Sequence, residues 1–144
     1  MADSIGYVTN NVKGLSTSQN KRLKIFKHLK SMIKNRGFIF LQETHSCEES
    51  VKDFKEDFGK DDDLIFCHGA SNARGVAIGI CGKLDYTIKK QINDNQGRYL
   101  ILNLTLGTRK YVLINIYNEN IERDQLKLLE DIDNQLTTLL ISLE

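Results

Sequence analysis

The chain has 144 residues, 40% of them hydrophobic and 27% charged, with a formal net charge of +1. That length fits a single domain, residues 1–144, and the apolar content excludes outright disorder. Near-neutral charge gives no global argument for a nucleic-acid partner, and no apolar run approaches the length of a membrane span.

The start, Met1 to Ser16, lacks the basic and apolar regions of a signal peptide, so an intracellular protein is expected. Cys47, Cys67 and Cys81 are odd in number and widely spaced, which argues against a disulfide framework.

Ile5 to Asn11 reads as a first strand, closed by a turn at Asn10-Asn11-Val12-Lys13-Gly14. Ser16, Thr17, Ser18 and Asn20 are helix-capping types. From Lys21 to Arg36, Leu23, Phe26, Leu29 and Ile33 recur at helical spacing, and Gly37 reads as the stop. Phe38-Ile39-Phe40-Leu41 is a continuous apolar run ending in Gln42-Glu43-Thr44-His45, the pattern of a strand buried on both faces with a carboxylate at its tip. A strand–helix–strand unit makes its two strands parallel. Both then finish at one end of the sheet, so Asn11 and Glu43 should be neighbours despite their separation in sequence.

A short amphipathic helix is expected over Ser50 to Phe58, with strands over Leu64–Cys67 and Val76–Cys81. Between these two strands lies the loop His68–Gly75. Tyr86–Ile92 alternates as an exposed strand, and Asn93-Asp94-Asn95-Gln96-Gly97 has turn chemistry. Arg98 to Leu106 alternates cleanly, and Tyr111 to Tyr117 returns as its antiparallel partner. Glu122 to Leu140 reads as a last helix with Leu126, Leu129, Ile132, Leu136 and Leu139 facing inward.

Charge is unevenly placed. Lys21, Arg22, Lys24, Lys27, Lys30, Lys34 and Arg36 occupy one acid-free stretch. Such a helix could follow a phosphate backbone, with Lys21, Arg22 and Lys24 as contacts; the plainer reading is a solvated helix face. Asp61-Asp62-Asp63 lacks calcium-loop spacing and reads as a solvated loop. His45/Cys47 and Cys67/His68 have short spacings, but zinc is disfavoured against incidental cysteines.

Five segments then carry a resemblance: Asn11-Val12-Lys13-Gly14-Leu15, Leu41-Gln42-Glu43-Thr44-His45, Arg74-Gly75-Val76-Ala77-Ile78, Gly97-Arg98-Tyr99 and Asn115-Ile116-Tyr117-Asn118. In this order and spacing they resemble the endonuclease/exonuclease/phosphatase superfamily with its DNase-I-like fold. The nearest likeness is to the apurinic/apyrimidinic-type endonuclease domains of non-LTR retrotransposons. The resemblance implies an α/β fold of four layers, an α/β/β/α sandwich, of which this chain carries the N-terminal half. It implies that Glu43 is a ligand of Mg2+ (or Mn2+), that Asn11 shapes the metal and phosphate site, and that Tyr117 lies beside the scissile phosphate of DNA. One carboxylate and an amide oxygen suit a hard ion that keeps several waters.

The family continues with a strand ending Gly-Asp-X-Asn, a later Asp and a closing Asp-His. None of these is found in the chain; Asp131-Ile132-Asp133-Asn134 lies within a helical pattern. Loss of those groups removes the means of activating water, so the expectation is a hydrolase domain that is inactive alone, or a non-catalytic remnant that at most binds nucleic acid. A half sandwich should also leave an inner sheet face around Val76, Ile78 and Ile80 without a partner, so the isolated chain is expected to be poorly soluble, self-associated through that face or only partly folded.

Overall fold

The computed structural model describes residues 4–15, 18–70, 73–117 and 122–143, without the side chains of 122 and 140–143. Two sheets form. The first contains β1 (Gly6–Asn11), β2 (Gly37–Gln42), β3 (Asp63–Cys67) and β4 (Val76–Cys81) in the order β1-β2-β4-β3. The second is a meander of β5 (Tyr86–Asn93), β6 (Tyr99–Leu106) and β7 (Arg109–Ile116). The helices are α1 (Gln19–Met32), α2 (Val51–Phe58) and α3 (Glu122–Leu143).

Strand β1 runs parallel to β2, with Gly6 opposite Gly37 and Asn11 opposite Gln42, so the crossover through α1 has the predicted consequence. Strand β2 then pairs antiparallel with β4, and β4 with β3.

Alternation along β2 divides the core. Ile39 and Leu41 face the helices, packing with Phe26, Leu29 and Ile33 and with Phe54 and Phe58 of α2. Phe38 faces the other way, into an apolar layer with Ile78, Ile80, Leu100, Leu102 and Leu104, and the partly buried Phe40 packs against the same layer. On the far face of the second sheet, Tyr99 and Ile101 meet Leu128, Ile132 and Leu139 of α3. The layers are therefore α1/α2, sheet, sheet, α3: an α/β/β/α arrangement built within this chain.

That arrangement overturns the expectation of an unpartnered inner face. Val76, Ile78 and Ile80 are 0%, 0% and 2% exposed because the β5–β6–β7 meander covers them. What stays open is one side of the sandwich, where β1 and β7 are both edge strands and Tyr7 is 78% exposed.

The capping expectation holds at Ser18, and three other local expectations change. Ser18 caps α1, its hydroxyl accepting from the Lys21 N–H, while Ser16 and Thr17 lie outside the described residues. The helix ends at Met32, not Arg36; Lys34 and Asn35 take positive φ (54° and 58°), and Gly37 opens β2 rather than stopping α1. Leu23 and Met32 face outward, because Arg22 takes the buried position beside Phe26 and Leu29. In α3, Leu126 and Leu129 point to solvent and Leu128 points in, a shift of register within a leucine-rich stretch that supports more than one apolar stripe.

Candidate functional site

Three strand ends converge at one end of the sandwich. Past Asn11 the chain turns and zips against the end of β2: Val12 N–H donates to Gln42 O (3.0 Å), Gly14 N–H to Glu43 O (2.7 Å) and Leu15 N–H to Thr44 O (3.1 Å). Asn11 Oδ1 accepts from the Lys13 N–H at 3.1 Å, an Asx turn that leaves its second lone pair. Gly14 has φ of 94°, and a β-carbon there would stand 2.9 Å from His45 Nδ1, so both space and backbone demand glycine.

Glu43 itself has φ of 53°, as His45 has 50°, and its backbone leaves the sheet sharply just past the last ladder position. A non-glycine residue in this region carries strain that its surroundings must hold. Three loops hold it. Thr44 N–H donates to Gly75 O (3.1 Å), His45 N–H to Arg74 O (3.0 Å), and Gly75 N–H to Gly97 O (3.1 Å). Thr44 and Ser46 are buried and share a hydroxyl–hydroxyl bond of 2.8 Å; Ser46 Oγ also pairs with His68 Nδ1 at 2.8 Å. Burial pushes the His68 imidazole down from its ordinary value, against an opposing pull from Glu48 and Glu49.

Tyr117 follows β7 and is tied to the same end by its N–H, which donates to Arg98 O at 2.7 Å. The turn carrying Arg98 is clamped by Asp94, whose carboxylate accepts from the Arg98 side chain (2.6 Å) and from the N–H groups of Gln96 (3.1 Å) and Arg98 (3.3 Å). Burial alone would raise the Asp94 pKa, but these bonds and the Arg98 charge outweigh it and hold the carboxyl below the usual range. Arg98 is thus held in the turn by Asp94, four residues before it.

A polar layer connects these ends from beneath. Gln42 Nε2 donates to Thr9 Oγ1 (2.9 Å) and to Asn115 Oδ1 (2.7 Å). Asn115, 2% exposed, donates from Nδ2 to the carbonyls of Leu41 (3.0 Å) and Ala77 (2.7 Å). Thr9, Gln42 and Asn115 line a cleft of about 440 Å³ between the open edges of β1 and β7. None of the three was singled out in the sequence as a functional residue. The signal was present at Asn115, an amide at an inward position of an apolar strand.

The basic stretch does not behave as a unit. Lys21 and Lys24 are exposed in the first turns of α1, at the end of the sandwich where Asn11 lies. Arg22 is not available to a nucleic acid: it is 8% exposed, pairs with Asp57 at 2.6 Å, donates to Leu15 O at 2.9 Å and lies over the Phe54 ring. Its position on the apolar face of α1 forces the guanidinium inward.

Among the described residues, no three His, Cys, Asp or Glu side chains gather where they could hold a metal ion. A magnesium site here would rest on Glu43, the Asn11 amide oxygen and water, which suits an ion that needs only one or two carboxylates. Burial pushes the Cys67 thiol up, and Cys67 donates to Asp94 at 3.5 Å, while burial pushes Cys81 up to about 12. Such thiols are structural.

No family profile matches the chain, and no curated protein matches it. Among solved structures, it is similar to the catalytic domain of APE2 from Xenopus laevis, with a TM-score of 0.55 and 18% identity over 83% of this chain. The fold is DNase-I-like. The match covers 46% of the APE2 domain, so the chain spans less than half the length of that structure. Among the described residues no helix is long and apolar enough to cross a membrane.

Proposed function

We propose that this chain belongs to a DNA endonuclease domain of the non-LTR retrotransposon kind, a phosphodiester hydrolase that uses Mg2+ or Mn2+ held at Glu43. The supporting observation is the convergence of Asn11, Glu43 and Tyr117 on one end of a DNase-I-like sandwich, each fixed by backbone bonds to its neighbours. A divalent ion bound there would supply charge stabilisation to the phosphoryl group and the leaving oxygen. Glu43 and the Asn11 amide oxygen would hold it. The Tyr117 hydroxyl would donate to a phosphate oxygen as charge develops. Lys21 and Lys24, exposed at this end, would neutralise flanking phosphates.

A second reading is a non-catalytic chain that only binds nucleic acid. It is favoured by the lone carboxylate: the described residues offer no metal-binding group of three. With a single carboxylate, turnover is expected to be orders of magnitude below that of a complete two-carboxylate site. The deciding assay is plasmid nicking with Mg2+ at high protein concentration, comparing the wild type with Glu43→Ala and Tyr117→Phe. Metal-dependent nicking above the Glu43→Ala background is expected. Equal backgrounds would leave the binding reading alone.

A further inference from the structure

We infer that Thr9, Gln42 and Asn115 are positioning residues, a hydrogen-bonded relay that sets Glu43, Asn11 and Tyr117 at working distances from one another. This rests on the reading above, in which Glu43 takes the metal and Tyr117 meets the phosphate.

The three residues sit one or two positions before the three site residues. Thr9 precedes Asn11 by two, Gln42 precedes Glu43 by one, and Asn115 precedes Tyr117 by two. A two-residue step along a strand returns to the same face, so Thr9 and Asn115 lie on the sides from which Asn11 and Tyr117 project. Gln42 joins them, giving one amide hydrogen to the Thr9 hydroxyl at 2.9 Å and the other to the Asn115 carbonyl oxygen at 2.7 Å. Asn115 in turn bonds β2 and β4 through the carbonyls of Leu41 and Ala77. The relay thus spans both sheets and four strands.

Its setting explains why a polar tie matters here. The layer between the sheets is otherwise apolar, built from Phe38, Ile78, Leu102, Leu104 and their neighbours. Apolar burial is non-directional and tolerates small slips of one sheet over the other. Glu43 directly follows a strand of one sheet and Tyr117 a strand of the other, so such a slip would alter their separation directly. Hydrogen bonds with fixed donors and acceptors remove that freedom. Every amide hydrogen of Gln42 and Asn115 is used, which leaves one arrangement of the pair.

The relay also differs from ordinary core support. Thr9 is exposed and the cleft beneath the site is open to water, so losing the Thr9–Gln42 bond should cost little stability while freeing the Gln42 amide. Position and stability can therefore be separated.

The test uses the isotope-labelled chain and Mn2+ as a relaxation probe. Broadening of the Gly14 and Thr44 amides reports occupancy at Glu43; broadening of the Tyr117 amide and ring reports distance across the sheets. In the wild type both sets should broaden. In Gln42→Met and Thr9→Val, Gly14 and Thr44 should respond as before while the Tyr117 effect falls at least twofold; Thr9→Ser, which keeps the acceptor, should match the wild type. The urea midpoint of Thr9→Val should not move. Equal Tyr117 broadening in all four proteins would overturn the relay. If Mn2+ broadens nothing in the wild type, the metal reading fails separately, and hydrogen exchange judges the relay. Exchange at the Gly14 and Tyr117 amides should then be roughly fivefold faster in Gln42→Met and Thr9→Val but not in Thr9→Ser. Unchanged exchange would refute it.

Discussion

Arg22 separates a structural cation from a nucleic-acid contact. Arg22→Met keeps a side chain of similar reach but removes the bond from Nε to Asp57 (2.7 Å), the second contact at 2.6 Å, the bond to Leu15 O (2.9 Å) and the stacking on Phe54. Breaking one partner of a buried pair costs roughly 3–5 kcal/mol. Both side chains here are 9% exposed and Asp57 keeps its bond from Gln19 at 3.0 Å, so the cost falls just below that range, about 2–3 kcal/mol. With a urea slope of about 2 kcal/mol/M, the unfolding midpoint should fall by roughly 1–1.5 M. Adding Asp57→Leu to the same protein removes the stranded carboxylate and should restore part of the loss. Lys21→Met and Lys24→Met should stay within about 0.5 kcal/mol of the wild type. If the proposed function holds, the order reverses on DNA: under folding conditions the two lysine variants should weaken binding and flatten its salt dependence, and Arg22→Met should do neither. A urea midpoint unchanged in Arg22→Met, or a loss of DNA affinity equal to that of Lys24→Met, would refute this assignment.

Asp94 predicts a pH dependence of stability. Its folded carboxyl is held low by Arg98 and two backbone N–H groups against the cost of burial. A lowered folded pKa means that the unfolded chain takes up the proton first as pH falls, so the stabilisation is complete above about pH 4 and is lost as pH falls through the folded value. Urea midpoints of the wild type and Asp94→Asn should therefore differ at pH 6 and converge toward pH 3; a constant difference would contradict the clamp. Gly75→Ala should cost about 2 kcal/mol or more, because Gly75 has φ of 93° and the added carbon would lie 2.3 Å from Thr44 Oγ1. Unaltered thermal unfolding would show that the loop can yield.

The strand–helix–strand start, the buried strand ending at Glu43 and the meander after Tyr86 were all legible in the sequence. Their apolar periods are long or clean, and few alternatives satisfy them. The parallel pairing followed from the strand–helix–strand connection, and with it the nearness of Asn11 and Glu43. Helix faces were less secure. Leu23 was read inward and Arg22 outward by residue type, yet the Asp57 carboxylate and the Leu15 carbonyl compensate a buried guanidinium. Leu126 and Leu129 fit a helical stripe as well as Leu128 and Ile132 do; contact with Tyr99 and Ile101 chose between them.

The sequence by itself determined the element types, the end of the sheet at which Asn11 and Glu43 meet, and the motif order that resembles a nuclease family. Tertiary structure alone decided that the meander closes over Val76, Ile78 and Ile80, because which sheet covers a face depends on contacts between distant segments. It alone brought Thr9, Gln42 and Asn115 together from three strands. A single amide in an apolar strand announces that it needs partners; only the packed fold shows which carbonyls and hydroxyls provide them.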